Sequence, residues 1–314
     1  MSSVLYDIPG PRAKRRNLIF SVVFLALLAL LAWWVISVFA DKGQLDWAKW
    51  EPFTTADAWT TYLLPGLANT LKAAGLSMVI ALPLGAVLGI ARLSDHAWVR
   101  APATFVVELF RAIPVLILMV FANQYYAEYW SQTIAPADRP MFAVVTGLVL
   151  YNASVLAEIV RAGILSLPKG QSEAAKAIGL RKGQTMRAVL LPQAVTAMLP
   201  AIVSQLVVVV KDTALGGAML AFTELLNERK TLSAFYGNVI PSFIVVAVIF
   251  IILNLILTSF ASWLEKRLRQ RKKSTGAVLG ADAVEEAAIA GAAGAPGAPG
   301  IPGVEPPGSA GKKE

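Results

Sequence analysis

Long apolar stretches alternate with shorter polar segments along most of this chain. A helix that crosses a membrane needs roughly 20 mostly apolar residues, and six stretches approach this length. They are residues 17–40, 73–91 (with a helix expected to start near Gly66), 112–127, 140–157, 188–210 and 231–264, whose core lies near 239–260. The pattern therefore predicts an all-α membrane protein with six transmembrane helices.

Lysine and arginine are distributed unevenly between the segments that join these stretches. Nineteen lie in the amino-terminal segment, in the second-to-third and fourth-to-fifth connections and after the last stretch, whereas the opposite loops hold six. Because positive charge is retained in the cytoplasm, both termini and the fourth-to-fifth connection are predicted to be cytoplasmic. The first apolar stretch is much longer than the 7–15 residues of a signal-peptide core, so it is predicted to be a retained helix.

Composition limits the chemistry that the chain can perform. Hydrophobic residues make up 56% and charged residues 15%, whereas a soluble domain carries about 25% charged residues. With no cysteine and a single histidine, His96, thiol-based and histidine-based catalytic or metal sites are not expected. The net charge of +8 would suggest nucleic acid as the partner of a soluble protein. Here the basic residues lie between apolar stretches, so no nucleic-acid partner is predicted.

The sequence also lacks the motifs of the common nucleotide and acyl-transfer enzymes. It contains no G-x-x-x-x-G-K-[ST] phosphate loop and no G-x-S-x-G nucleophile elbow. The chain is therefore predicted to be no enzyme, to bind no cofactor or metal, and to hydrolyse no ATP by that machinery.

The fourth-to-fifth connection, residues 168–192, carries the most informative local pattern, and we call it the EAA loop after residues 173–175. Pro168 and Gly170 interrupt the preceding helix. Glu173 lies in the first turn of a short helix, Gly179 can adopt a left-handed conformation that ends it, and Pro192 marks the start of the next span. Local chemistry leaves two interpretations open, which are an ordinary cytoplasmic helix hairpin and a compact knob that a partner contacts.

A series of motifs extends beyond this loop in a fixed order. They are 66–71 (GLANTL), 108–114 (ELFRAIP), 157–161 (AEIVR), 167–171 (LPKGQ), 191–194 (LPQA) and 211–213 (KDT). Together with the EAA loop they resemble the permease subunits of ATP-binding-cassette (ABC) importers. The resemblance is to the polar amino-acid branch, of histidine, glutamine and glutamate type, and the layout resembles actinobacterial glutamate permeases. It implies a glutamate-transporting permease in a bacterial plasma membrane, with a type I importer core of five helices preceded by one extra helix.

The resemblance also implies a coupling role for the EAA loop and a set of partners. The partners are a cytoplasmic ABC ATPase dimer that carries ATP and Mg, a second homologous permease subunit in a heterodimer, an extracellular substrate-binding protein and membrane lipid. The residues expected to couple to the ATPase are Gln171, Glu173, Ala174, Ala175, Gly179, Leu191 and Pro192.

These inferences divide the chain into segments. A basic cytoplasmic tail is expected over 1–17, the extra transmembrane helix over 18–40 and an extracellular loop over 41–64. The permease core follows over 65–265, with the coupling loop at 168–192. Residues 266–314 are expected to form a cytoplasmic tail, first basic and then disordered, because its Ala, Gly and Pro residues cannot bury a core.

Ionisable residues at the ends of the spans are candidates for the translocation path or its gate. Charges within a bilayer are costly and often functional. Glu158 and Arg161 are three residues apart and can pair on one helical turn; they either hold helices together or line an inner gate. A second pair with this spacing, at 108 and 111, is expected to be structural.

Lys211 and Asp212 directly follow an apolar stretch and are predicted to lie near the outer face, before a short segment (213–226) that folds back at the outer mouth. Lys211 is expected either to attract a carboxylate, with Asp212 fixing it by pairing, or to form a helix-ending ion pair with Asp212.

The alternative to an importer subunit is a function of a different class, a self-sufficient secondary carrier or channel. Such a carrier usually has ion-coupling carboxylates near the middle of the membrane, broken helices and internal repeats. No convincing inverted repeat is visible in the sequence, and Glu158 lies toward the predicted inner end of its helix.

Overall fold

The computed structural model describes residues 10–276, and every regular element in this range is helical. The α-helices are α1 (Pro11–Asp41), α2 (Trp47–Trp50), α3 (Ala56–Ala58), α4 (Leu64–Ala91), α5 (Ala97–Ala112), α6 (Val115–Tyr129), α7 (Arg139–Leu165), α8 (Lys169–Ala177), α9 (Lys182–Thr185), α10 (Leu191–Met219), α11 (Leu225–Tyr236) and α12 (Val239–Gly276). A 3-10 turn (Glu51–Thr54) and two π-helical turns (Trp59–Leu63 and Met186–Leu190) join neighbouring helices. The all-α prediction is confirmed.

Five helical segments are long and apolar enough to cross a membrane, and a bent pair makes a sixth candidate. The five are Pro11–Asp41, Ala56–Ala91, Arg139–Leu165, Lys182–Met219 and Val239–Leu264. The sixth consists of α5 and α6, which meet at an angle of 98°. The predicted third span at 112–127 is therefore displaced, because the chain breaks between the two helices at Ile113–Pro114. Proline lacks an N–H group and disfavours a helical residue before it.

Helix α1 stands apart from the rest of the bundle. It buries none of its residues against the remainder of the described chain. Its apolar side chains, including Phe20 and Trp33, are mostly exposed. This agrees with its prediction as an extra helix outside the five-helix core.

Helices α4 and α7 form the centre of the bundle. Two glycines of α4 make their close approach possible. A Cβ atom on Gly85 would lie 2.6 Å from Leu156 Cβ, and one on Gly89 would lie 2.6 Å from the carbonyl oxygen of Ala157. Small residues allow membrane helices to pack with their backbones close together, so the glycine spacing of α4 determines how α7 lies against it.

The remaining core helices surround this pair. Met119 of α6 is fully buried against Gly147 of α7, and Met198 of α10 is buried against Gly163 of α7. The largest buried cluster joins α4, α6, α7 and α10 through Ala73, Ala74, Met119, Val144, Leu148, Val209 and Val210, and it includes Phe222 from the connection between α10 and α11.

The segment predicted as a loop over 41–64 is largely helical and is fixed to the bundle. Helix begins at Ala56 and runs through a π-helical turn into α4, so the second span starts earlier than predicted. Lys49 Nζ donates to the Gly237 carbonyl at 2.8 Å, and the Tyr236 hydroxyl donates to Asp57 Oδ2 at 2.9 Å. These contacts fix the segment to the turn between α11 and α12.

Helix α10 does not end at Lys211 and Asp212. It continues through Thr213 to Met219, and the short element that folds back is α11, which starts at Leu225. The prediction of a helix end at 211–212, with a returning segment over 213–226, is wrong in its boundaries.

Contacts divide the chain into two units, residues 1–261 and residues 262–314. The predicted core boundary at 265 falls within α12, which is helical to Gly276. Residues 277–314 of the predicted disordered tail lie outside the described residues. So do residues 1–9, which make up most of the basic tail predicted at 1–17.

Candidate functional site

The EAA loop folds into two helical pieces that meet at a glycine. Helix α8 begins at Lys169, so Glu173 is its fifth residue and the prediction that it lies in the first turn is wrong. The helix ends at Ala177, and Gly179 has φ +82°. The Gly179 N–H donates to the Lys176 carbonyl, and the Leu180 N–H donates to the Ala175 carbonyl. This pair of bonds is a Schellman motif, which satisfies the last carbonyl groups of a helix. The predicted left-handed role of Gly179 is confirmed.

The residues of α8 that are expected to couple to the ATPase are not all exposed. Glu173 and Ala174 are exposed, and Ile178 at the end of the helix is 78% exposed. Ala175, which is expected to couple to the ATPase, is 4% exposed, so it is not on the surface that α8 presents. Gln171 is exposed and accepts a hydrogen bond from Gln193 Nε2 at 3.2 Å. The exposed surface of α8 and its carboxyl end is therefore formed around Glu173, Ala174 and Ile178.

The second arm of the loop is continuous with the next span. Helix α9, the π-helical turn and α10 form one helical segment from Lys182 to Met219. Pro192 occupies the first turn of α10, where its missing N–H is tolerated. Leu191 is half-buried and Pro192 is exposed. A movement of the EAA loop would therefore be transmitted directly to α10.

A hydrogen-bonded ion pair joins this second arm to the loop between α4 and α5. Lys182 Nζ lies 2.5 Å from Asp95 Oδ1 and also donates to the Leu93 carbonyl at 2.9 Å. The hydrogen bond from Lys182, followed by its charge, holds the pKa of Asp95 below its ordinary value. Sequence reasoning missed this contact, because the two residues are 87 positions apart.

Three helices, α4, α5 and α7, meet at the end of the bundle nearest the EAA loop in a cluster of charged side chains centred on Glu158. Its Oε1 lies 2.6 Å from Arg161 Nη2, and its Oε2 lies 2.7 Å from Arg92 Nη1 and 3.7 Å from Arg111 Nη1. Arg92 also contacts Glu108 Oε1 at 2.9 Å. The cluster thus joins the ends of α4 and α5 to α7.

One of the two predicted ion pairs is present in the cluster, and the other is not. Glu158 and Arg161 pair at the expected spacing. Glu108 and Arg111 do not pair with each other in the described residues; Glu108 contacts Arg92, and Arg111 contacts Glu158. Arg92, whose side chain is 9% exposed, was counted only for membrane orientation. Its position directly after an apolar stretch is the signal that could have identified it.

A cavity of about 590 Å³ opens beside the cluster, at the break between α5 and α6. Its polar lining combines a cation, an anion and two neutral groups. Gln205 Nε2 donates to Asn152 Oδ1 at 2.7 Å, which orients the glutamine side chain. The lining includes Arg111, Ile113, Pro114, Val115, Tyr151, Val155, Gln205 and Asp212.

Lys211 and Asp212 face different spaces. Asp212 lines the cavity with Arg111, whereas Lys211 lines a separate, mostly apolar groove between α10, α11 and α12. Neighbouring residues on a helix point about 100° apart, and the ion pairs of the described residues do not include one between Lys211 and Asp212. The predicted pairing of these two residues is therefore not seen.

A buried carboxyl group that sequence reasoning missed lies between α10 and α11. Glu224 is fully buried, and its two carboxyl oxygens accept the N–H groups of Leu226 and Asn227 at 2.8 Å, which caps α11. Burial raises the pKa of Glu224 to about 7, against the opposing effect of these two hydrogen bonds. A glutamate immediately before a helix start was the available signal.

Metal-binding groups were not expected, and the part of the chain from 10 to 276 contains no group of three or more His, Asp or Glu side chains arranged to hold a metal ion.

Comparison with known proteins identifies the family to which this chain belongs. Residues 81–270 match the family described as the inner membrane component of binding-protein-dependent transport systems. The chain belongs to this family. It is the permease component, which is not catalytic, and ATP hydrolysis in these systems is carried out by a separate subunit.

The permease is similar to named relatives over most of its length. Glutamate transport system permease protein GluD of Corynebacterium glutamicum is 48% identical over 231 residues, which cover 73% of this chain and 83% of the relative. Arginine transport system permease protein ArgU of the same organism is 31% identical over 275 residues, covering 84% and 85%. The crystal structure of an amino acid ABC transporter with histidines has a TM-score of 0.61 at 26% identity, covering 67% of this chain and 95% of that chain. The predicted fold class and family are confirmed.

Proposed function

We propose that this permease imports glutamate through a membrane assembly driven by a separate ATPase. Glutamate is proposed as the substrate because the chain is 48% identical to a glutamate permease, over 83% of that relative. The structural similarity to an amino acid ABC transporter supports the broader substrate class. An extracellular binding protein delivers the substrate, and a second, homologous permease subunit forms the other half of the path in a heterodimer.

The EAA loop is proposed as the contact with the cytoplasmic ATPase dimer, on which ATP and Mg are bound. Three features support this role. The α8 surface around Glu173 and Ile178 is exposed, the loop is braced by Lys182 and Asp95, and its second arm is continuous with α10. A rigid helix that links a docking surface to a span can transmit a rigid-body motion. Both termini are cytoplasmic in this proposal, in agreement with the distribution of Lys and Arg residues.

The cavity between α5, α6, α7 and α10 is proposed as part of the translocation path. Its mixed lining of Arg111, Tyr151, Gln205 and Asp212 suits a zwitterionic solute. Glu158 and Arg161 belong to the gate at the end of this cavity nearest the EAA loop. Lys211, which lines the separate groove, is also proposed to contribute to uptake.

Reconstitution tests this function directly. The permease pair would be purified with its ATPase, placed in proteoliposomes with the binding protein, and assayed for uptake of radiolabelled glutamate. We expect accumulation that requires both ATP and the binding protein. Accumulation without either component would instead indicate a self-sufficient carrier and would overturn the proposal.

The docking surface has its own test. Glu173→Lys is expected to weaken co-purification of the ATPase and to reduce uptake, because it reverses a charge on the exposed face of α8. Normal co-purification and normal uptake would exclude Glu173 from the docking surface.

A further inference from the structure

Arg111 belongs to two neighbouring sites at once. Its guanidinium group contacts Glu158 in the charge cluster, and the same residue lines the adjacent cavity. The side chain is 40% exposed, so solvent and solutes in the cavity can reach it. Arg111 is the last but one residue of α5, directly before the break at Ile113–Pro114. A movement of its side chain would therefore act at the point where the chain bends.

The ion pair between Arg111 and Glu158 is the longest in the cluster. Its N–O distance is 3.7 Å, whereas Arg92 and Arg161 approach the same carboxylate to 2.7 and 2.6 Å. Removing one partner of a buried ion pair is costly when the other charge is left without compensation. Glu158 would keep two short contacts if Arg111 moved away, so this exchange leaves no unpaired carboxylate.

A solute in the cavity could compete with Glu158 for the guanidinium group of Arg111. Arg111 lines it together with Asp212, and the neutral polar groups of Tyr151 and Gln205 share the lining. A guanidinium group binds a carboxylate through two parallel hydrogen bonds, and the carboxylate of Asp212 suits an ammonium group. This distribution of charge matches a solute that carries both groups, as an α-amino acid does.

We propose that Arg111 exchanges its contact with Glu158 for the carboxylate of the transported amino acid. Substrate in the cavity then removes one of the contacts by which α5 is joined to α7. The loaded state of the cavity is thereby communicated to the charge cluster and to the end of the bundle nearest the EAA loop. This inference rests on the proposed function, since it takes the cavity to be part of the path.

Equilibrium binding of radiolabelled L-glutamate to the purified complex, without the binding protein, tests the exchange. Arg111→Gln is expected to weaken binding at least about tenfold, because it removes a charge-assisted contact, and Arg111→Lys should be intermediate. γ-Aminobutyrate, which lacks the α-carboxylate, should bind more weakly than glutamate to the wild type. Arg100→Gln is the matched control, since Arg100 is an exposed arginine on the same helix that bonds the Ser94 carbonyl.

Glu158→Gln gives an independent result of opposite sign. It removes the charge that competes with substrate for Arg111, so glutamate binding is expected to become tighter by about threefold or more. This variant also keeps the test decisive if Arg111→Gln does not assemble. Unchanged or weaker binding to Glu158→Gln, or equal binding by the Arg111 and Arg100 variants, would overturn the exchange.

Failure of this inference can be separated from failure of the proposed function. ATP-dependent uptake by the wild-type complex, combined with equal glutamate binding by Arg111→Gln and Arg100→Gln, would leave the importer function intact and exclude Arg111 as a substrate contact. Absence of ATP-dependent uptake by the wild type would reject the function itself.

Discussion

Lys182, in the second arm of the EAA loop, forms a 2.5 Å hydrogen-bonded ion pair with Asp95, in the loop between α4 and α5. Both side chains are largely exposed, with exposed fractions of 50% and 76%. Exposed ion pairs contribute little to stability, because water screens the charges. The larger consequence of the Lys182–Asp95 pair is positional, because the pair fixes the EAA loop relative to α4, which packs at the centre of the bundle.

Lys182→Ala is accordingly expected to reduce coupling with little loss of stability. ATPase activity stimulated by the loaded binding protein should fall several-fold in the reconstituted complex, while the thermal unfolding midpoint of the permease stays near that of the wild type. The charge-swapped double variant, Lys182→Asp with Asp95→Lys, should recover part of the stimulation. Stimulation that is unchanged in Lys182→Ala would show that the contact has no coupling role.

Gly179→Ala is expected to distort the EAA loop. The left-handed φ of +82° costs an L-residue with a Cβ atom about 1 kcal/mol or more, although a Cβ atom there would meet nothing within 4 Å. We expect weaker co-purification of the ATPase for Gly179→Ala. Asparagine tolerates this conformation better, so Gly179→Asn should retain more binding.

Gly170→Ala provides the matched control for that comparison. Gly170 lies in α8 without a positive φ, and a Cβ atom there also meets nothing within 4 Å. The Gly170→Ala variant should bind the ATPase normally. Similar losses for Gly170→Ala and Gly179→Ala would mean that the backbone conformation at 179 is not what matters.

The sequence predicted the features that depend on local patterns. Apolar length identified the spans, and the position of Gly179 after a short alanine-rich helix identified its turn. The contacts between distant helices were not predictable in the same way. Arg92 and Glu158 are 66 positions apart, and nothing in either local segment specifies that α4 and α7 bring them together.

Ala175 illustrates a second limit of sequence reasoning. Ala174 and Ala175 are chemically identical, yet one is exposed and the other is buried. Neighbouring residues on a helix point about 100° apart, so which of the two is buried depends on where the rest of the chain packs in the folded loop. The bend between α5 and α6 was similarly missed, because Pro114 could equally have started a straight span.

Gly85→Ala is expected to destabilise the bundle, whereas Gly75→Ala on the same helix should stabilise it. A Cβ atom at Gly85 would lie 2.6 Å from Leu156 Cβ and 2.8 Å from the Ala153 carbonyl oxygen, while one at Gly75 meets nothing within 4 Å. Overpacking costs roughly 1–3 kcal/mol, and replacing an exposed helical glycine with alanine gains up to about 1 kcal/mol. Thermal unfolding midpoints of the purified variants should therefore move in opposite directions. Equal shifts would mean that α4 and α7 are not held at the close distance that Gly85 permits.

Glu224→Gln is expected to remove part of the dependence of stability on pH. Burial raises the pKa of Glu224 from 4.5 to about 7 in the folded protein. Between these two pH values the carboxyl group is therefore protonated in the folded state and ionised in the unfolded state. The stabilising contribution of this proton is fully present below pH 4.5 and is lost as pH rises through about 7. Between pH 5.5 and pH 8 the wild type should lose on the order of 2 kcal/mol from this group.

The measurement is the thermal unfolding midpoint of the wild type and of Glu224→Gln at these two pH values. Other groups titrate in both proteins, so the difference between their pH responses isolates Glu224. Lys230 and Glu228, which act on Glu224 in opposite directions, are present in both. Glu51→Gln, at an exposed position, should behave like the wild type. A pH response that is the same in Glu224→Gln and in the wild type would mean that Glu224 stays ionised when it caps α11. Its two backbone hydrogen bonds would then outweigh the cost of its burial.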